Sequence, residues 1–344
     1  MSEVVPSTHS HKKGFFTLFP TPGFLHISRV GIALSDRAVH LVEFRQTGHR
    51  GDLTLLTAVE VRLAPGLIVA GYIHDKEALS KVLSDLRIKY GFDFARATLP
   101  EEKAYVFTTQ VDKKPFDSLR DRVAFTIEEN VPVALSESVF DFDIIGDTED
   151  KALVKVAVAV LPNKAVEVYL KIFEDAGITP ISFDIESQAI ARAVILTGDT
   201  RAHLILNLSE DKTGFYIAED EVMQFSSTPA YGTRQDDSGG YPDLSNLKTE
   251  MRKLFVFWNT RLNKMGIPQK KIEKIILTGV GANKKNEGFL SDLMEGIDVE
   301  YSVANVWANA FSFNEYLPDI SFEESLSYGA AIGTALPNKE PKYV

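Results

Sequence analysis

The feature that constrains this chain most is a hairpin-like segment that occurs twice. Residues 30–44, VGIALSDRAVHLVEF, contain an apolar run, a polar turn at residues 35–37 and then alternating apolar positions, which predicts strand, tight turn and strand. Residues 204–217, LILNLSEDKTGFYI, repeat this design with their turn at residues 209–212. A third apolar run, IILTGVGAN at residues 275–283, leads into a glycine-containing turn. One such hairpin in each half of the chain predicts a duplicated α/β architecture.

Composition places the chain among globular proteins and argues against several functions. Its 344 residues are enough for two cores, and 44% of them are hydrophobic. The formal net charge of -11 opposes a broad contact with nucleic-acid phosphates, which calls for clustered cations. The chain has no cysteine, so it has no disulfide framework and no thiolate zinc site, and a reducing cytosol fits. Its longest apolar runs, such as residues 157–161, are far too short to span a membrane.

Between the two hairpins, the hydrophobic pattern predicts a compact block of strands and helices. Residues 76–90 carry apolar side chains on one helical face, and Gly91 follows as a C-terminal cap. Residues 98–111 have the composition of a single strand. In chain order, the block continues with a helix at 117–129, strands at 139–145 and 153–161, and a helix at 163–176. The longest predicted helix covers residues 244–265, in the second half of the chain.

The first 29 residues contain no hydrophobic periodicity long enough for a domain, so we expect them to form an N-terminal arm. Within this arm, residues 12–19 combine two lysines with three phenylalanines. Basic residues beside aromatic anchors can touch an anionic membrane surface or a partner protein. The alternative is that the arm packs its phenylalanines against the protein's own sheet, and we favour this second interpretation.

A set of short landmarks runs in a fixed order along nearly the whole chain. They are residues 30–32, Val39, 41–43, 99–103, 128–132, 139–142, 156–162, 176–178, 184–187, Ala189, 191–193, 276–279 and 281–282. No single landmark is decisive, but the ordered set resembles the PilM family, the actin-like proteins of the type IV pilus inner-membrane assembly platform, and their relative FtsA.

This resemblance implies an α/β chain with the duplicated actin-like, ribonuclease H-like ATPase fold. Two domains and an inserted small subdomain of the type shared by PilM and FtsA are expected, with the hairpin turns converging on an interdomain cleft. The implied division is an N-terminal arm (1–29), a first domain (30–95 and 178–200), an inserted subdomain (96–177), a second domain (201–336, variable at about 230–272) and a tail (337–344).

The resemblance also raises the question of a nucleotide. In the family, each hairpin carries an aspartate that helps to hold Mg²⁺ and a glycine that lets backbone amides approach phosphate. This chain has Ala33 and Asn207 at the aspartate positions, and Ser35 and Ser209 at the glycine positions. Because both carboxylates are missing, phosphoryl transfer loses electrostatic stabilisation, and we expect weak or no ATPase activity. Glu186 lies where related folds orient a water, so it would be the catalytic residue of an active enzyme.

Weak binding of ATP or ADP with Mg²⁺ and the lack of any cofactor are both open at this point. The nucleotide contacts implied by the resemblance are Ser35, Asp36, Arg37, Ser209, Lys212, Thr213, Gly279, Gly281 and Ala282. No metal site is expected unless the enzyme is active, in which case Asp36 and Asp211 would take over the metal. The alternative, which we favour, is that the polar turns are ordinary hairpin turns and that the glycines serve backbone geometry.

The resemblance implies a scaffold at the cytoplasmic face of the inner membrane, in a type IV pilus or related type II secretion system. Its implied partners are the N-terminal cytoplasmic segment of a PilN-like membrane protein and other platform and motor proteins. Nucleic acid is not expected, membrane contact is indirect or through residues 12–19, and a homo-oligomer is possible. The candidate peptide contacts, in a groove between the first domain and the inserted subdomain, are Phe125, Glu128, Glu129, Val131 and Pro132, facing residues 39–44. Alternatively, Phe125 and Val131 belong to the subdomain core.

Two other functions remain open. One is an active actin-like ATPase that uses Asp36 and Asp211 for its metal, and the other is a cell-division protein of the FtsA type. FtsA-like proteins usually attach to the membrane through a C-terminal amphipathic helix, which residues 337–344 do not form, so we expect the pilus scaffold instead. The chain lacks the Gly-x-Ser-x-Gly, Gly-x-x-x-x-Gly-Lys-Ser/Thr and His-Glu-x-x-His motifs of other enzyme classes.

Overall fold

The structure is a computed structural model that describes residues 29–47, 52–113, 118–148, 152–264 and 270–337. The predicted N-terminal arm up to residue 28, including the segment at 12–19, lies outside the described residues, as does the tail from residue 338. No helix in the described ranges is both long and apolar enough to cross a membrane.

The described chain forms fifteen strands and eight α-helices. The strands are β1 (Arg29–Leu34), β2 (Ala38–Thr47), β3 (Asp52–Arg62), β4 (Ile68–Val69), β5 (Tyr72–Ile73), β6 (Phe94–Leu99), β7 (Tyr105–Asp112), β8 (Ser138–Asp147), β9 (Leu153–Pro162), β10 (Thr179–Ile185), β11 (Ala202–Leu208), β12 (Thr213–Glu219), β13 (Val222–Ser227), β14 (Ile272–Thr278) and β15 (Glu300–Val303). The helices are α1 (Lys76–Tyr90), α2 (Leu119–Asn130), α3 (Asn163–Asp175), α4 (Glu186–Val194), α5 (Leu244–Lys264), α6 (Glu287–Met294), α7 (Phe322–Ser325) and α8 (Gly329–Ala335).

The two halves of the chain contain five-stranded sheets with the same strand order. The first sheet has the order β10-β6-β1-β2-β3, and the second has the order β13-β12-β11-β14-β15. The orders match when the first sheet is read from β3 and the second from β13. In each sheet three antiparallel strands come first, β3-β2-β1 and β13-β12-β11. A fourth strand, β6 or β14, then pairs in parallel with β1 or β11, and β10 or β15 pairs in parallel with that fourth strand. The duplication that the two hairpin-like segments predict is therefore present in the topology.

Local signals place the helix ends where the sequence predicts them. The Asp75 side chain accepts a hydrogen bond from the Ala78 backbone N–H at 2.9 Å and begins α1. Gly91 ends this helix in the left-handed conformation, with φ of 70°, which a residue without Cβ adopts at little cost. Between these caps, Leu79, Leu83 and Leu86 are buried against the first sheet's core. The predicted helix over residues 76–90 is confirmed.

The inserted subdomain is a three-stranded antiparallel sheet, β7-β9-β8, with its own core on α2. This sheet starts at Tyr105 and ends at Pro162, so the predicted subdomain, residues 96–177, is longer at both ends. Strand β6 belongs to the first sheet, where it pairs in parallel with β1 and β10. Helix α3 buries Phe173 in the core of the first domain. The single strand predicted for residues 98–111 is wrong, because a turn of 3-10 helix at Glu101–Lys103 divides it between two sheets.

Helices α4 and α8 lie between the two halves of the chain and pack closely against each other at glycine and alanine residues. A Cβ on Gly333 of α8 would lie 1.7 Å from the Ala189 carbonyl oxygen of α4. A Cβ on Gly31 of β1 would lie 2.2 Å from the Ala331 carbonyl oxygen of α8. Only glycine permits these backbone approaches. The close contact of α4, α8 and β1 holds the two sheets next to each other.

Candidate functional site

The turns of the two hairpins contain one serine each, and each serine completes its own turn. The Ser35 hydroxyl donates to the Ala38 carbonyl at 3.0 Å, and the Ser209 hydroxyl donates to the Lys212 carbonyl at 2.8 Å. The backbone N–H of each serine donates to the same carbonyl, at 3.0 Å in both turns. These hydroxyls are therefore engaged in the turns themselves, as expected for ordinary polar hairpin turns.

The Asp36 carboxylate is hydrogen-bonded to backbone amides. It accepts hydrogen bonds from the N–H groups of Ala70 at 3.1 Å and Gly71 at 3.3 Å, in the turn between β4 and β5. This turn is tight, since Ala70 has φ of 47° and a Cβ on Gly71 would lie 2.6 Å from the Pro100 side chain. Asp36 thus holds a strained turn against the first hairpin, which leaves little of its carboxylate for a metal ion.

Lys212 extends from the second hairpin turn to the first domain. Its Nζ forms an ion pair with Glu102 and lies 3.4 Å from Asp36 Oδ2. Burial by itself would lower the pKa of Lys212, but the carboxylates of Glu102, Glu186 and Asp36 raise that pKa above its usual range. Lys212 therefore carries its positive charge, and the protein's own carboxylates balance that charge.

Arg37 makes the reverse connection, from the first turn to the second. Its Nε donates to Asp211 at 2.7 Å, and its Nη1 lies 2.7 Å from Glu210 Oε2. The hydrogen bond to Asp211 raises the pKa of Arg37. Asp211 also pairs with Arg234, so it is shared by two guanidinium groups. Four of the candidate residues, Asp36, Arg37, Asp211 and Lys212, therefore pair with one another across the two hairpin turns.

The third turn follows β14 and is packed against the end of β11. A Cβ on Gly279, whose φ is 84°, would lie 2.4 Å from the Leu208 carbonyl oxygen. A Cβ on Gly281 would lie 2.7 Å from Thr233 Cγ2, and the neighbouring Ala282 is buried. Close packing, against the Leu208 backbone for Gly279 and against side chains for Gly281, accounts for both glycines. Thr213, also a predicted nucleotide contact, is buried, and no hydrogen-bond partner of its hydroxyl is found in the described residues.

Glu186 begins α4 behind the two turns. Asn207 donates a hydrogen bond to Glu186 Oε1 at 3.1 Å. Burial raises the pKa of Glu186 to about 7, while the charge of Lys212 opposes this rise. Next to it, the Glu101 carboxylate is buried and accepts the Ser187 backbone N–H at 2.8 Å. Burial likewise raises the pKa of Glu101.

The donors present do not fit a Mg²⁺–nucleotide. Magnesium prefers oxygen ligands in open octahedral sites, but Ala33 has no donor and Asn207 is engaged with Glu186. The carboxylates of Asp36 and Asp211 are already paired with amides or guanidinium groups. Within the described ranges, no group of three or more His, Cys, Asp or Glu side chains is arranged to hold a metal ion. Glu102, Glu210 and Arg234 also form ion pairs with the hairpin turns. They were not predicted as site residues, because their only signal in the sequence is a charge near a turn.

A separate groove of about 750 Å³ lies where the inserted subdomain meets both domains. Strand β8 forms one wall, β10 and α4 form the second, and the turn between β12 and β13 forms the third. The side chains that line the groove include those of Val139, Phe140, Asp141, Phe142, Asp143 and Arg192.

The five residues predicted to contact a peptide do not line this groove. Val131 is 6% exposed and belongs to the subdomain core, whereas Phe125 on α2 is 79% exposed. Glu128 accepts the Leu135 backbone N–H at 3.0 Å, and Glu129 and Pro132 are exposed. The facing positions at 39–44 lie in β2, and most of their side chains are buried. The structure therefore separates the predicted positions from the groove.

Comparison with known proteins identifies the fold. A family model described as type IV pilus assembly protein PilM matches residues 31–237. Among solved structures, the "PilM-PilN type IV pilus biogenesis complex" matches with a TM-score of 0.72 at 20% identity, covering 89% of this chain and 97% of that chain. The ethanolamine utilization protein EutJ from Carboxydothermus hydrogenoformans matches with a TM-score of 0.50 at 11% identity, covering 90% and 89%. No curated protein matches.

The structural matches have low sequence identity, so they establish the fold alone. They confirm the expected duplicated actin-like α/β fold, in agreement with the identical strand order of the two sheets. The family model covers more than half of the chain, including the first hairpin, the inserted subdomain and the second hairpin. On this match, the chain belongs to the family of the type IV pilus assembly protein PilM.

Proposed function

We propose that this protein is a scaffold of the inner-membrane assembly platform of a type IV pilus, or of a related type II secretion system. In this role it binds the N-terminal cytoplasmic segment of a PilN-like membrane protein and has no significant ATPase activity. The observation that carries the proposal is the groove between β8 and β10. A solved PilM-PilN complex with the same fold supports a partner of this class.

Two of the strands that form the walls of the groove lie at the edge of a sheet. β8 is the last strand of the three-stranded sheet, and β10 is the last strand of the first sheet. The Phe140 carbonyl accepts a hydrogen bond from the Arg120 side chain at 2.8 Å, and the Phe142 N–H donates to the Asp141 side chain at 3.0 Å. Side chains thus cover backbone groups on β8 that an added strand would use. An extended peptide that displaces them gains main-chain hydrogen bonds.

The charge of the groove favours a basic, apolar peptide. Arg192 is the single cation among the lining residues, and it is already held by Asp184 at 2.8 and 3.2 Å. Asp143 is exposed in the groove, and no ion pair of its carboxylate is found in the described part of the chain. Partial desolvation and the nearby Asp141 raise the pKa of Asp143, while the charge of Arg192 lowers it. A lysine or arginine of the peptide would neutralise this carboxylate, while Phe140 and Phe142 offer apolar contact.

Peptide binding tests the proposal directly. A fluorescein-labelled peptide of about 20 residues, the N-terminal segment of the PilN-like protein from the same genome, is titrated with the full chain and followed by fluorescence anisotropy. We expect saturable binding that Asp143→Lys weakens by about tenfold or more, since a like charge then faces the peptide's cation.

The matched control is Asp237→Lys, the same substitution at an exposed position outside the groove. It should leave the affinity within about twofold of that of the unchanged protein. An absence of binding at high micromolar concentration, or equal effects of the two substitutions, contradicts the proposal. The proposed position at the cytoplasmic face of the membrane follows from the partner, and a contact through residues 12–19 lies outside the described residues.

A further inference from the structure

The two hairpin turns are joined by a cluster of charged side chains that we call the interdomain latch. It consists of Asp36, Arg37, Glu102, Glu210, Asp211, Lys212 and Arg234. Arg37 connects the first turn to Glu210 and Asp211 of the second, and Lys212 connects the second turn to Asp36 and Glu102 of the first domain. The connections run in both directions, so each turn supplies cations and carboxylates to the other.

The latch occupies the space between the turns and is already neutralised. Its three cations face four carboxylates, and every cation has at least one carboxylate partner. A phosphate chain that entered here would meet no free cation and would be repelled by the carboxylates. It would also have to break Arg37 from Asp211 and Lys212 from Glu102 before it gained any contact.

The latch also reaches the inserted subdomain. Glu102 lies in the 3-10 turn at Glu101–Lys103, which leads directly into β7. The neighbouring Glu101 accepts the N–H of Ser187 at the start of α4, the helix between the two halves. The interdomain latch therefore contacts the first domain, the second domain and the segment that leads into the first strand of the inserted sheet.

We infer that the interdomain latch holds the two domains closed without a ligand, in the place where a nucleotide would otherwise bridge the two hairpin turns. The closed arrangement is then the resting state of the protein and does not depend on nucleotide. This inference is independent of the peptide-binding role.

The distance between the domains tests the inference. The chain has no cysteine, so Lys81→Cys on α1 and Arg252→Cys on α5, both exposed, accept one spin label each. Pulsed dipolar spectroscopy of this labelled protein should give one narrow distance distribution, unchanged by about 5 mM Mg-ATP or pyrophosphate. In this labelled protein, whose latch residues are all intact, a shift of the distance distribution on addition of Mg-ATP would overturn the inference.

Breaking the latch should open the protein. Arg37→Ala combined with Lys212→Met removes both cross-connections, and we expect the distribution to broaden and move to longer distances. The control is Arg62→Ala, whose side chain is 90% exposed and pairs with Glu60 outside the latch. An unchanged distribution in the folded double variant contradicts the inference.

A second variant covers the case in which the first does not fold. Glu102→Gln with Asp211→Asn removes two latch carboxylates but retains the size of both side chains. Arg37, Lys212 and Arg234 then lose a carboxylate partner each. We expect pyrophosphate affinity, measured by calorimetry, to rise by about tenfold or more over that of the unchanged protein. Millimolar or tighter pyrophosphate binding by the unchanged protein, or no rise in the variant, contradicts a neutralised and closed latch.

Discussion

Glu186→Gln is predicted to stabilise the protein at alkaline pH and to have a much smaller effect at acid pH. Burial raises the pKa of the Glu186 carboxyl from 4.5 to about 7. A carboxyl whose pKa is higher in the folded chain makes folding take up a proton, so stability falls as the pH rises from about 4.5 to about 7 and stays low above that. Glutamine has nearly the same shape, still accepts the Asn207 hydrogen bond and carries no charge at any pH.

The magnitude follows from the two pKa values. Each pKa unit corresponds to about 1.4 kcal/mol, so the ionisable side chain costs about 0.8 kcal/mol at pH 5 and about 3.3 kcal/mol at pH 8 relative to a neutral one. The advantage of Glu186→Gln should therefore grow by about 2.5 kcal/mol between these pH values. This figure is an upper bound, because Glu186 retains some accessible surface.

The assay is urea unfolding at pH 5 and pH 8, followed by the fluorescence of the two buried tryptophans, Trp258 and Trp307. Comparing variant with unchanged protein at each pH cancels the titration of all other groups. Glu287→Gln, at an exposed position of α6, is the matched control and should show no pH-dependent difference. A pH-dependent gain below about 0.5 kcal/mol, or of opposite sign, would refute the burial of the Glu186 carboxylate between the domains.

Further predictions concern packing, the buried ion pair and the exposed side chain of Phe125 on α2. Gly333→Ala would put a Cβ 1.7 Å from a backbone oxygen of α4, so we expect a loss of at least about 3 kcal/mol in urea unfolding. Gly288→Ala on α6 meets nothing within 4 Å and should be neutral or slightly stabilising. Lys155 and Glu219 form a buried pair at 3.8 Å between β9 and β12, so Lys155→Met should cost about 3 kcal/mol, and adding Glu219→Gln should recover most of this loss. Phe125→Ser should change stability by no more than about 0.5 kcal/mol in the same assay, and a larger loss would contradict its exposure.

Local sequence patterns predicted much of the backbone. The helix at residues 76–90 and the two hairpins were predicted because their caps, turns and apolar spacing are local signals. Strands β13 and β15, of six and four residues, were not predicted, since short strands depend on distant partners. The division of residues 98–111 between two sheets was also missed, because both parts are apolar and only the tertiary pairing of β6 with β10 distinguishes them.

For the candidate sites too, some features could be predicted from the sequence and others could not. The sequence by itself determined the duplicated architecture, the loss of two carboxylates at Ala33 and Asn207, and the resemblance to the PilM family, because each depends on residue identity or order along the chain. Only the tertiary structure decided which side chains pair across the two hairpin turns and where the groove between β8 and β10 lies. Arg37 and Asp211 are 174 residues apart, and β8 and β10 belong to different sheets. The side chains of such contacts meet only after the two domains and the inserted sheet have packed together, so no local pattern records them.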